Sequence, residues 1–159
     1  MKAFKIFSIL VAMLLSAVSC NNGGNKEANI TSFVVGSWQL ISYCDMPAEV
    51  DLHIAFNKNA TFRILQRTDS FEYQQFSGRY SVTVQTNAEN PEFVEHLVSG
   101  VYSDGKAWAN SYLCSLDENG NLVMQSVGSD EMSVYRPELM PKAAATRTVE
   151  ADALCVKPL

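Results

Sequence analysis

Asp51-Leu52-His53-Ile54-Ala55-Phe56-Asn57-Lys58-Asn59-Ala60-Thr61-Phe62-Arg63-Ile64 is the stretch that decides the fold. Leu52, Ile54 and Phe56 alternate with Asp51, His53 and Asn57; after a polar break, Phe62 and Ile64 alternate with Thr61 and Arg63. A period of two sets one row of side chains against a core and the other in water. Asn57-Lys58-Asn59 supplies turn residues that tolerate positive φ, so the two strands fold back as an antiparallel hairpin.

The same pattern extends in both directions. Tyr80, Val82 and Val84 alternate with Arg79, Ser81 and Thr83, and Met132 and Val134 with Glu131 and Ser133. Asp104-Gly105 separates Val101-Tyr102 from Trp108, Asn119-Gly120 separates residues 113–116 from 122–124, and Gly128-Ser129-Asp130 precedes the last run. Short hairpins place consecutive strands side by side, and closing the sheet removes its unpaired edges. The expectation is an all-β fold: an antiparallel meander of roughly eight strands closed into a small barrel. Residues 86–92 read as a loop, with 91–97 open between loop and a helical turn before a strand at 98–102, and 142–159 as a loose tail with a short helix near 151–156.

The first residues carry an address. Lys2 and Lys5 precede an apolar run from Ile6 to Val18, broken only by Ser8 and Ser16. That run is shorter than the about 20 residues a bilayer core requires, and it fits a secretory signal. Asn21-Asn22-Gly23-Gly24-Asn25-Lys26-Glu27 lacks core formers and reads as a tether. The expected organisation is a signal peptide at 1–19, a tether at 20–31, a barrel at 32–140 and a tail at 141–159. The formal charge of −5 becomes more acidic once Lys2 and Lys5 are removed, and with no basic cluster this argues against a nucleic-acid partner.

Ala17-Val18-Ser19-Cys20 resembles a lipobox, with Ala17 where the pattern usually has Leu. The resemblance implies lipid on Cys20 and a membrane partner through that lipid, in the cell envelope and by analogy at the outer membrane. Gly36-Ser37-Trp38 near the start of the barrel and Arg136 at its end are similar to the lipocalin and calycin pattern. There a Gly-x-Trp packs beneath a late Arg, so the resemblance implies barrel closure by Gly36, Trp38 and Arg136, with the guanidinium on the ring. Gly78-Arg79-Tyr80, Tyr102-Ser103-Asp104-Gly105-Lys106 and Val134-Tyr135-Arg136 extend the likeness to the small lipocalin-like lipoproteins of Gram-negative bacteria, over residues 34–141. In lipocalins a disulfide often ties the tail to the barrel, which implies Cys155 with Cys44 or Cys114. A direct Cys44–Cys114 bridge and three free thiols are the alternatives.

Residues for chemistry are sparse. His53 and His96 lack ligand-like spacing and no Cys-x-x-Cys occurs, so no metal and no cofactor are expected. There is no Gly-x-Ser-x-Gly; Cys44 and Cys114 fall in expected strands, where a thiol is an inert small hydrophobe; Asp69 and Glu72 lie in a polar stretch. No catalytic residues are assigned and the chain is not read as an enzyme. The expected inner face is rich in rings: Phe56, Phe62, Tyr73, Tyr80, Trp108 and Tyr112, with the amide of Asn110 among them. Such a face suits either plain core or a pocket for a small apolar or amphipathic ligand. Ligand binding leads; a filled barrel that meets a protein partner or acts as an inhibitor through its loops is the alternative. An apolar interior left empty favours the first, a solid core the second.

Overall fold

The computed structural model describes residues 30–68, 72–86, 90, 92, 94–142 and 146–154. The deciding stretch forms two paired strands, β3 (Asp51–Phe56) and β4 (Thr61–Arg67), with Phe56 opposite Phe62. The turn between them closes with Ala60 at φ 63°, a left-handed conformation. Before them run β1 (Gly36–Tyr43) and the two-residue β2 (Met46–Pro47). After them come β5 (Tyr73–Thr86), β6 (Val94–Tyr102), β7 (Tyr112–Leu116), β8 (Leu122–Ser126), β9 (Met132–Pro137) and β10 (Thr146–Thr148). Among the described residues the one helical element is a 3₁₀ turn at Ala151–Ala153.

Strands β1, β3, β4, β5, β6, β7, β8 and β9 pair antiparallel in that order, and β9 pairs back with β1. The molecule is therefore an eight-stranded closed antiparallel barrel, with β2 added to β1 and β10 added parallel to β5. Followed once around the ring, the registers accumulate a stagger of about twelve residues, which tilts the strands and widens the barrel beyond what small side chains fill. Large side chains fill it: Tyr135, Phe56, Phe62 and Phe76 are each at most 1% exposed.

Strand β5 forms wall with two neighbours in succession. Its residues Gln74–Arg79 pair with β4 and Gly78–Thr86 with β6. The handover falls at Gly78, where a Cβ would lie 2.1 Å from the Val101 carbonyl oxygen and 2.7 Å from the Phe62 ring, so only glycine lets the strands approach. β6 does not reach the first residues of β5, and β10 occupies that edge at Tyr73–Gln75.

Three expectations change. Residues 94–97 are strand, not a helical turn. Trp108 lies in the connection between β6 and β7, where only Ala107 bridges Val101, and its ring rests against Gly100. The tail is not loose over 146–154: it returns as β10 and the 3₁₀ turn, and it buries Leu154 in the core. The expected signal peptide, Cys20, most of the tether, residues 87–89 and Cys155 lie outside the described residues.

Candidate functional site at the barrel mouth

At one end of the barrel β1 begins, the 57–60 turn lies, and residues 30–35 cross. Trp38 points inward there and its Nε1–H donates to the Val34 carbonyl at 2.9 Å. The Ile30 N–H donates to Lys58, the Tyr80 hydroxyl to the Asn57 carbonyl, and Phe33 packs on His96 at 4.6 Å. Gly36 sits over the Trp38 ring, 3.4 Å from it at the Cβ position. Arg136 is not part of this closure. Strand alternation turns it outward, where it donates to Gln39 Oε1 at 3.0 Å, so the ring expected beneath its guanidinium lies on the other face of the sheet. Among the described residues the guanidinium laid over a ring is that of Arg67, on Tyr73 at 4.8 Å.

Of the ring set read from sequence, Phe56, Phe62, Tyr80, Trp108 and Tyr112 do converge inside the barrel. They pack edge-on against one another: Phe56 on Tyr80 at 4.9 Å, Phe62 on Trp108 at 5.1 Å, Trp108 on Tyr112 at 6.2 Å. Burial pushes the Tyr80 and Tyr112 phenols up to about 12. Asn110 is half-buried, against Gly128.

Tyr73 departs from the set. It lies on the outer face, where its hydroxyl donates to Asp51 Oδ2 at 2.7 Å beside Arg67, also at 2.7 Å. The His53 Nε2 meets Asp51 Oδ1 at 2.9 Å. Burial alone would raise the Asp51 pKa; the Tyr73 hydroxyl, His53 and Arg67 outweigh it and hold the carboxyl below its ordinary value. His53, expected in solvent, is 5% exposed, and its Nδ1 has no partner among the described residues. Among the described residues Cys44 and Cys114 are free thiols, so no bridge joins the two to each other, and burial pushes Cys114 up to about 12. Cys44 is not in a strand. It and Asp45 both have positive φ, 49° and 62°, and make the two-residue turn that folds β2 onto β1.

That turn builds the feature sequence reasoning missed. At the opposite end from Trp38, the β1–β2 arm overhangs a cleft of about 390 Å³. Leu40 and Val50, both members of the buried core, line its floor, with Ala48 beside them. Tyr43, Met46 and Pro47 form the overhang, and Glu49 and Thr68 add polar groups. The arm is held: Ala48 N–H donates to the Ile41 carbonyl, Cys44 N–H to Met132, and the Tyr43 hydroxyl to Glu131 Oε1 at 2.9 Å. Burial first, and then Glu131, raise the Tyr43 phenol far above its ordinary value, so it stays a donor. Met46 is 64% exposed, an apolar side chain held at the mouth. A larger depression of about 580 Å³ overlies the Gly78 bend, but it is a shallower groove edged by Arg63 and Arg79.

No family model, no curated protein and no solved structure matches this chain. Function is therefore read from the geometry of the cleft and the barrel.

Proposed function

We propose that this chain is an exported, lipid-anchored binding protein of the cell envelope, of the lipocalin-like kind, which takes a small and mostly apolar molecule at the mouth of its barrel. The observation that carries this reading is the cleft of about 390 Å³ floored by Leu40 and Val50. Its size is within the range of small-molecule sites, and it joins an apolar floor to a few polar groups at the rim. The ligand sits above the packed rings, not among them, because Phe56, Phe62 and Trp108 already occupy the lumen. The lipobox-like Ala17-Val18-Ser19-Cys20 supports an anchor on Cys20, and the outer-membrane location rests on the family analogy, with Asn21 not acidic after the lipidated cysteine.

The ring-filled lumen favours a second reading, in which the barrel is a scaffold and its end meets a protein. Native mass spectrometry separates the two. The mature domain is incubated with a lipid extract of its source membrane and weighed. A discrete added mass, lost in Val50→Asp with the circular dichroism spectrum unchanged, supports the carrier. No added mass from a folded domain rejects it in favour of the protein-binding scaffold. Loss of labelled-palmitate incorporation in Cys20→Ser tests the anchor separately.

A further inference from the structure

The wall between β5 and the connection after β6 is completed by the tail. Three residues of β10 pair with Tyr73–Gln75, and the Val149 N–H continues the ladder to the Gln75 carbonyl at 3.1 Å. The 3₁₀ turn and the Leu154 that follows it then present four contacts to the barrel. The Ala153 carbonyl accepts from Gln66 Nε2 at 2.8 Å, and Gln66 is fully buried. Leu154, 4% exposed, enters the core. Asp152 pairs with Lys106, and the Ala151 N–H donates to Asp104 Oδ2 at 3.2 Å. The side chains of Arg147, Thr148 and Glu150 are exposed.

This is how a bound peptide sits on a sheet edge: backbone hydrogen bonds along a strand, one anchoring side chain, one carbonyl read by a buried donor. Leu154 and the Gln66 hydrogen bond are the buried anchors of the segment, with Val149 and Ala151 packed against the core, and the remaining hold is slight. The pairing is short, and the Lys106–Asp152 pair is solvent-exposed and so weak. We infer that residues 146–154 form a releasable strap, and that the seam beneath is a binding site for a peptide that pairs as a short strand and then turns, carrying an acidic residue two positions before a leucine. Lys106 reads the acid. Gln66 selects a backbone carbonyl: its amide nitrogen donates to Gln74 Oε1 at 2.6 Å as well as to Ala153, so both of its N–H groups are directed at acceptors. The slot now filled by Leu154 takes the leucine. Asp152-Ala153-Leu154 is the chain's own copy of that pattern, and it acts as a competitor held in place. Occupancy of the cleft at the mouth is not required for the seam to bind.

Two measurements test it on the full chain. Hydrogen exchange of the unaltered protein should show amides 146–154 opening well before those of β3 and β4. A strap that exchanges as slowly as those strands overturns the inference. A fluorescent peptide of residues 146–154 is then titrated by anisotropy. It should bind a Leu154→Asn protein about tenfold more tightly than the unaltered one, since the internal competitor is weakened. A peptide carrying Asp152→Lys should bind that protein several-fold more weakly, as an exposed charge pair predicts, and equal affinity overturns the reading of the acid by Lys106. If the peptide binds neither protein while Leu154→Asn keeps its native spectrum, the seam is a permanent part of the wall. Should that variant fail to fold, the exchange measurement decides.

Discussion

Where β1 begins, Trp38, Phe56, Phe62 and Tyr80 close on one another and residues 30–35 cross beneath them. Where β1 ends, Leu40 and Val50 belong to the same core but are roofed only by the short β1–β2 arm. The same strands build both ends. The difference lies in the connections: a tight polar turn at 57–60 in one case, and a seven-residue segment at 44–50 doubling back on itself in the other. A filled lumen and an open mouth are therefore compatible in one barrel, and capacity for a ligand need not mean a hollow centre.

The sharpest way to break that comparison is Phe62→Ala. If the rings are core, the variant loses about 3–5 kcal/mol of stability, read as a lower urea midpoint. A variant that keeps its midpoint and gains affinity for an apolar probe would return the lumen to the role of site. Gly100→Ala tests the same end from the backbone. Its Cβ would lie 2.5 Å from the Trp108 ring and 2.9 Å from the Arg79 carbonyl oxygen, and about 1–3 kcal/mol should be lost in the same assay.

Asp51 gives a smaller and pH-dependent effect. Its folded pKa is below the unfolded value of 3.8, so its contribution is present above that value and is lost as pH falls through the folded one. Urea midpoints of the unaltered protein should drop below about pH 4. Asp51→Asn should be less stable at pH 7 and show less of that acid-induced drop; equal slopes for the two proteins would refute the assignment. The smallest effect on stability belongs to Met46→Ser at the mouth, within about 0.5 kcal/mol, because the side chain is already exposed. Ligand affinity should fall in the same variant. Unchanged affinity would move the site away from the overhang.

Much of this fold is legible in the sequence. Alternation through 51–64 specifies a hairpin, and the Asn-Gly and Asp-Gly pairs specify the meander. Closure comes from the cost of exposed edges. The parts that are not legible have local causes. Tyr73 groups with Tyr80 by type, yet seven residues of continuous strand set them on opposite faces; Gln74-Gln75 hides the alternation that would show it. The mouth cleft depends on a positive-φ turn made by Cys44 and Asp45, and neither residue pair nor spacing announces such a turn as Asn-Gly does. Arg136 matches a pattern in type and position, but register puts it on the wrong face for the ring it would cover. The strap depends on a gap between β5 and β6 that exists only once the ring is closed.

Strand β5 runs from Tyr73 near the mouth to Thr86 beyond the far end, roughly 45 Å of continuous extended chain. Among the described residues its outermost ones pair with β6 alone and carry no part of the cleft or the seam. That makes the far end of the β5–β6 pair a natural handle. A dye, an affinity tag or a surface linker attached at Thr86 would immobilise or report on the molecule from behind, and leave the cleft at the other end unobstructed.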